Sequence, residues 1–288
     1  MKTIPIFFDS QMVADSGSFS PSAAKPAAVV ASWQRLGVPY RLMAPTPVTA
    51  EQLAQAHDPT FVRDVLSGAR SNGFGNRSAE VAASLPWTTG AMYSAARHVR
   101  EHGGVAAAPC SGFHHARYAS PSGFCTFNGL MVTAALLHAD GARRIGILDC
   151  DQHEGDGTDE IIARLDAQAW VHHFTAGRHY ERQGDAAGFF AALPEILRGF
   201  DGCDLVLYQA GADPHVDDPL GGWLTTDELR ARDERVFASF ARTRIPLVWN
   251  LAGGYQVDPD GGIRQVIAIH DNTLRACGRA YLGRAMPS

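Results

Sequence analysis

Seven short apolar runs constrain this chain more than any other feature: Ile4–Phe8, Tyr40–Met43, Val105–Ala108, Arg144–Asp149, Trp170–Phe174, Asp204–Gln209 and Pro246–Leu251. All are shorter than an ordinary helix, and several are apolar on both faces, the pattern of strands buried inside a parallel sheet. Helical patterns lie between them. Pro26 opens one that runs to Leu36 and stops at Gly37. A second runs from Thr88 to Glu101 and ends at Gly103-Gly104. Thr225-Thr226-Asp227-Glu228 reads as a capping box, followed by Leu229, Val236, Phe237 and Phe240 on one helical stripe. Strand alternating with helix predicts an α/β fold, an open, mainly parallel multi-stranded sheet with helices on both faces. No internal repeat and no long Pro/Gly/Ser linker divides the 288 residues, so residues 1–288 are expected to form a single domain. Ser71–Asn76 and Ser120–Gly123 are expected loops. In such sheets ligands gather beyond the carboxyl ends of the strands, so function is sought in the residues that follow each run.

Composition removes several classes of function. Charged residues are 19% of the chain and hydrophobic ones 45%, the balance of a soluble globular protein. A net charge of −5 with scattered arginines gives no footprint for nucleic acid, and no nucleic-acid partner is expected. Lys2 and Lys25 are the only lysines, which reads as a bias of composition. Cys110, Cys125, Cys150, Cys203 and Cys277 are far apart, odd in number and form no C-x-x-C pair. That argues against a disulfide framework and for a reducing, cytoplasmic location. The start, Met1 to Phe8, has too short an apolar run for a signal peptide, and no run approaches the ~20 apolar residues of a membrane span, so no membrane partner is expected.

Four strand ends carry reactive residues. After Arg144–Asp149 the chain reads Asp149-Cys150-Asp151-Gln152-His153-Glu154-Gly155-Asp156-Gly157-Thr158. Side chains alternate along a strand, so Asp149, Asp151 and His153 leave its end on one side. Crowded carboxylates repel unless a positive charge sits between them, and Asp and His are suitable ligands for a zinc-like ion. The plainer reading is a polar strand end that caps the next helix. After Val105–Ala108 comes Cys110-Ser111-Gly112-Phe113-His114-His115. Tandem histidines can act as general base and acid near neutral pH, although one core and one surface histidine would give the same pair. After Asp204–Gln209 comes Ala210-Gly211-Ala212-Asp213-Pro214-His215, where Asp213 is either a third ligand or a turn residue before proline. After Pro246–Leu251 comes Ala252-Gly253-Gly254-Tyr255, either a backbone turn that brings a tyrosine to a ligand or a plain glycine turn.

Together these motifs, in this order, resemble the histone deacetylase superfamily, which includes bacterial acetylpolyamine amidohydrolases. The resemblance runs from about Phe61 to Tyr255 and also takes in Gly123-Phe124-Cys125-Thr126-Phe127-Asn128 and Asp218-Pro219-Leu220-Gly221. It implies an arginase/deacetylase-like fold with Asp151, His153 and Asp213 as the three protein ligands of a catalytic zinc, for which iron(II) is an alternative. It implies that His114 and His115 flank the attacking water, that Asp149 pairs with His114 and Asp156 with His115, and that Tyr255 faces the substrate carbonyl. Phe124 would wall a narrow channel, Gly123 would offer a backbone carbonyl to the substrate amide, and Leu220 would stand near the channel. Relatives also hold a structural potassium ion through backbone carbonyls at the positions of Asp149, Asp151 and His153. The same is expected here, with His172 or His173 on the next strand contributing.

The implied function is metal-dependent removal of an acetyl or other acyl group from an acylated amine, such as acetyl-lysine or an acetylpolyamine. Three departures leave the substrate open. Many relatives carry Arg-Pro-Pro-Gly where this chain has Cys110-Ser111-Gly112-Phe113, and a second histidine where it has Glu154. Asp9–Ser22 lacks the His and Arg pattern found near the start of relatives and is expected to form part of the pocket rim. Two rival readings use the same residues. An arginase-type ureohydrolase shares the fold but needs two bridged metals, and the residue two after Asp213 is His215 rather than a second aspartate. A non-catalytic binder of acylated ligands would have lost Tyr255, a ligand or a histidine, and all are present.

Overall fold

All seven apolar runs fold as strands, because residues apolar on both faces are satisfied only where both faces are covered. They are β1 (Ile4–Phe7), β2 (Tyr40–Met43), β3 (Val105–Ala107), β4 (Ile145–Asp149), β5 (Val171–Thr175), β6 (Leu205–Gln209) and β7 (Leu247–Asn250). The computed structural model describes residues 2–283. Met1 and residues 284–288 of the expected 1–288 domain lie outside the described residues. The strands form one open sheet in the order β2-β1-β3-β7-β6-β4-β5, and every neighbouring pair is parallel. Parallel neighbours need crossovers, and the helices supply them: α1 (Lys25–Trp33), α2 (Ala50–Leu53), α3 (Pro59–Leu66), α4 (Ala79–His102), α5 (Gly129–Ala139), α6 (Asp156–Arg164), α7 (Asp185–Arg198), α8 (Thr226–Thr243) and α9 (Arg264–Leu282).

The period-two alternation of β6 builds two cores. Val206 and Tyr208 face one side, with Trp33 of α1, Phe189 of α7, Phe237 of α8 and Ile269 of α9. Leu205 and Leu207 face the other, with Phe61 of α3, Met92 of α4, Leu130 of α5 and Ile161 of α6. Each large apolar side chain buried this way is worth about 1.5–3 kcal/mol, so both layers are locked to the sheet.

Two helix boundaries differ from the sequence reading. The helix expected from Thr88 begins at Ala79 and runs through Pro86, with the Ser78 side chain accepting from Val81 N–H at its start. A proline inside a helix removes a donor and disfavours the preceding turn. Here tertiary packing of Val81, Ala82 and Ser84 overrides that cost. Helix α1 stops at Trp33, before Leu36. The capping box forms as read: Thr225 N–H donates to Glu228 Oε2 at 2.8 Å, and Glu228 N–H donates back to Thr225 Oγ1 at 3.3 Å.

The sheet order does the main work for function. Strands β3, β7, β6 and β4 are consecutive in the middle of the sheet. The four reactive strand ends therefore emerge side by side at one edge.

Candidate metal centre and active site

Asp151 and His153 follow β4 and Asp213 follows β6, and one ligand atom from each lies within 4.8 Å of the others. His153 Nδ1 is 3.3 Å from Asp151 Oδ1 and 3.2 Å from Asp213 Oδ2. A tetrahedral ion with bonds of about 2.1 Å separates its ligand atoms by about 3.4 Å, so these spacings already match the edges of such a site. The backbone is cut to fit. Gly253 approaches so closely that a β-carbon there would lie 2.1 Å from Asp213 Oδ2. Gly253 N–H donates to Asp151 Oδ2 at 2.7 Å and Gln152 N–H to Asp213 Oδ1 at 3.3 Å. Both carboxylates are buried. Burial and the neighbouring Asp151 charge push the Asp213 carboxyl up to about 7. Two carboxylates held this close in a dry site, with an imidazole facing both, form a donor set suited to a divalent cation.

The tandem histidines stand beside this cluster, each on its own carboxylate. His114 Nδ1 is 2.7 Å from Asp149 Oδ2, and its Nε2 is 3.5 Å from Asp151 Oδ1. Burial works against its charged form, but Asp149 and Asp151 outweigh it and hold the ring up at about 9. Asp149 is itself fixed by N–H donors from Asp151 and the Gln209 side chain, both at 3.1 Å. His115 Nδ1 is 2.9 Å from Asp156 Oδ1, at the first residue of α6, and Arg117 also pairs with Asp156. Burial and the His114 charge lower the His115 pKa against the pull of Asp156. The two rings sit 4.2 Å apart, with His114 biased to the cation and His115 to the neutral base.

Tyr255 completes the floor. It is 8% exposed, its ring is 6.4 Å from that of His153, and its N–H donates to Asp218 Oδ2 at 2.8 Å. Burial, with Asp213 and Asp151 nearby, drives its phenol well above the ordinary value, so the hydroxyl keeps its proton. The cluster opens into a cavity lined among others by His114, Asp151, Tyr255, Gly123, Phe124 and Phe74. Gly123 and Phe124 both take left-handed backbone, at φ 51° and 63°. At Gly123 a β-carbon would meet the His115 ring at 2.4 Å, so only glycine fits between that ring and the channel. Phe124 has a side chain in a region such residues avoid, and its N–H donates to Gly73 O at 3.1 Å. Its ring lies 5.5 Å from Tyr255, 5.9 Å from Phe74 and 5.3 Å from Phe19.

Not every expected residue joins the site. Leu220 is 38% exposed on the loop after Asp218 and is not among the cavity-lining residues. His173 turns its Nδ1 to Asp159 at 2.7 Å, and His172 packs edge-on against Phe200. The Asp9–Ser22 segment does reach the site: Met12 and Ser22 line the cavity, and Phe19 meets Phe124 edge-on.

Residues 21–179 and 177–268 match the family model of the histone deacetylase domain. The chain belongs to the histone deacetylase family. An uncharacterized protein of Picosynechococcus sp. is 28% identical over 258 residues, covering 80% of this chain and 82% of that one. Histone deacetylase 6 of Caenorhabditis elegans is 32% identical over 177 residues, 50% of this chain but 18% of the nematode protein. Acetylpolyamine amidohydrolase 1 of Pseudomonas aeruginosa is 26% identical over 207 residues, 59% of each chain. The chain therefore spans less than two thirds of these last two relatives. The acetylpolyamine aminohydrolase of Burkholderia pseudomallei superposes with a TM-score of 0.74 at 19% identity, over 96% of this chain and 99% of that one. That likeness establishes a deacetylase fold.

Sequence reading of this deacetylase-family chain missed three supports. Gln209 bridges Asp149 and Phe113 N–H, at 3.1 and 3.2 Å. Arg232, fully buried in α8, donates to the carbonyls of Cys150 and Gly211 at 3.0 and 2.8 Å, just ahead of Asp151 and Asp213. Lys25 is fully buried in α1. The scarcity of lysine reads as a bias of composition, and nothing in the sequence singles out any of the three as a support.

Proposed function

We propose that this protein is a metal-dependent amidohydrolase that removes an acetyl or related acyl group from an acylated amine. The observation that carries the reading is the convergence of an Asp-His-Asp cluster, two separately paired histidines and a buried tyrosine at one cavity, which His114, Asp151 and Tyr255 line. Asp151, His153 and Asp213 would hold zinc, or iron(II), which when bound would supply Lewis acidity. His115 is the base. Asp156 holds its Nδ1–H, leaving Nε2 free to accept the water proton and later deliver it to the departing amine. His114, embraced by Asp149 and Asp151, stays cationic and stabilises negative charge beside it. The Tyr255 hydroxyl donates to the carbonyl oxygen as it gains charge. Gly123 and Phe124 line the slot for the acyl-bearing chain, and Leu220 stands farther out.

The substrate class is acetyl-lysine, an acetylpolyamine or another small acylated amine. We extend the catalytic domain over residues 1–288. Five free, buried cysteines among the described residues favour a cytoplasmic setting. A structural potassium ion at the backbone carbonyls of Asp149, Asp151 and His153 belongs to the same reading. A ureohydrolase is disfavoured. His215 directs its Nε2 to Thr226 Oγ1 at 2.9 Å, and Asp151, His153 and Asp213 are the one three-ligand cluster among the described residues.

The test is turnover of a fluorogenic acetyl-lysine substrate and of N-acetylputrescine by zinc-loaded protein, beside His115→Ala and a metal count. Release of acetate that depends on His115, with one transition metal per chain, is expected. Two tightly bound metals with urea release from arginine would overturn the reading.

A further inference from the structure

Lys25 sits in the first turn of α1, fully buried, and Nζ donates to the Ala252 carbonyl at 2.5 Å. That is its one hydrogen bond among the described residues. Ala252 is no ordinary acceptor. It follows β7 and takes φ 51°, the left-handed region that a residue with a β-carbon avoids. The two residues that matter most come next. Gly253 N–H donates to Asp151 Oδ2 at 2.7 Å, and Tyr255 lies two residues further on. The preceding residue is already fixed, since Leu251 N–H donates to Cys110 O at 2.9 Å. The direction in which the chain leaves the sheet is therefore decided at Ala252.

We propose that Lys25 is a positioning residue: it holds Ala252 in the left-handed turn that aims Gly253 N–H at Asp151 and sends Tyr255 into the cavity. A second observation points the same way. Arg232 fastens the strand ends of β4 and β6 through the Cys150 and Gly211 carbonyls. Lys25 does the same for β7, so each strand end bearing a ligand or Tyr255 is tied from behind by a buried cation. Burial lowers the lysine to about 8 against the raising effect of Asp213, Asp151 and Asp218, which leaves it charged at neutral pH. The proposal rests on the roles given above to Asp151 and Tyr255, and the scarcity of lysine makes it testable apart from them.

The experiment is a double-mutant cycle of Lys25→Met and Ala252→Gly on zinc-loaded protein, reading the thermal midpoint, zinc affinity by chelator competition, and kcat and KM for an acetyl-lysine substrate. Glycine takes the left-handed turn unaided. Lys25→Met should lower kcat by about 10-fold or more with KM changed by no more than about twofold. The same substitution in the Ala252→Gly background should cost at least about threefold less in kcat, and less in thermal midpoint. Equal costs in both backgrounds, or wild-type kcat in Lys25→Met, would overturn the proposal. If Lys25→Met yields no folded protein, the wild type labelled with ¹⁵N at lysine Nζ decides. Lys2 and Lys25 are the only lysines, so one slowly exchanging ammonium signal is expected, and fast exchange of both would refute the hydrogen bond. If the wild type turns over no acylated amine, the proposed function fails, while the coupling in thermal midpoint and the ammonium signal still judge Lys25.

Discussion

Gly253→Ala is the sharpest single perturbation the site offers. A β-carbon there would lie 2.1 Å from Asp213 Oδ2 and 2.8 Å from Asp151 Oδ2, whereas side chains essentially never come closer than 3.0 Å. Asp213 has no open space to swing into without loss, because it is fully buried and its Oδ1 already accepts from Gln152 N–H. The collision therefore moves the carboxylate or the turn by roughly 1 Å, several times the tolerance of about 0.2 Å within which a metal bond survives. Groups that merely orient a ligand are worth 10–100-fold in metal affinity, so displacing a ligand outright should cost at least about 100-fold, or about 3 kcal/mol. Chelator-competition titration with zinc measures this directly, and turnover should fall in parallel. Gly112→Ala is the matched control, since its β-carbon would find nothing nearer than 3.7 Å, and zinc affinity should stay within about twofold. Zinc binding by Gly253→Ala within about threefold of wild type would refute the claim that Asp213 and Asp151 are ligands packed against this turn.

Tyr255→Phe should keep its metal and lose about 10²–10³ in kcat; full turnover would remove the tyrosine from the oxyanion role. Asp156→Asn should retain zinc but lower kcat by about 10–100-fold, read by steady-state kinetics, because His115 loses the carboxylate that fixes its tautomer; an unchanged rate would exclude His115 as the base. Asp151→Ala and Asp213→Ala should each abolish metal retention and turnover together, checked by metal analysis of the purified proteins. His57 predicts acid sensitivity: its Nδ1 faces the carbonyls of Arg117 and Tyr118 while Nε2 accepts from Asn128 N–H, and burial lowers its pKa from 6.5 to about 4. As pH falls through that window the unfolded chain takes a proton that the folded chain refuses, removing up to about 3 kcal/mol of stability; urea unfolding of His57→Gln with the wild-type pH slope would refute it.

The fold and most of the site were legible for a shared physical reason. Strands apolar on both faces announce a covered parallel sheet, and such a sheet collects its ligands at the carboxyl ends, so the same seven runs pointed to both the core and the candidate site. The family resemblance already divided the Asp149–Asp156 run, and the structure sets Asp149 against His114 and gathers Asp213 from the end of β6, the strand beside β4. Legibility ended where a contact joins residues far apart in the chain with no local pattern. Lys25 and Ala252 are 227 residues apart, and Arg232 reaches Cys150 across 82. Neither cation sits in a motif, since a carbonyl acceptor leaves no mark on a sequence. Pro86 fails in the opposite sense: its local rule is strong, but burial along α4 is stronger. The residues that perform chemistry must be particular types at particular spacings, which is why they can be read. The residues that hold the backbone beneath them need only supply a charge at a point in space, and many sequences do that. Substitutions at Lys25 and Arg232 thus probe what the motifs leave unsaid: a ligand set is only as good as the turns that carry it.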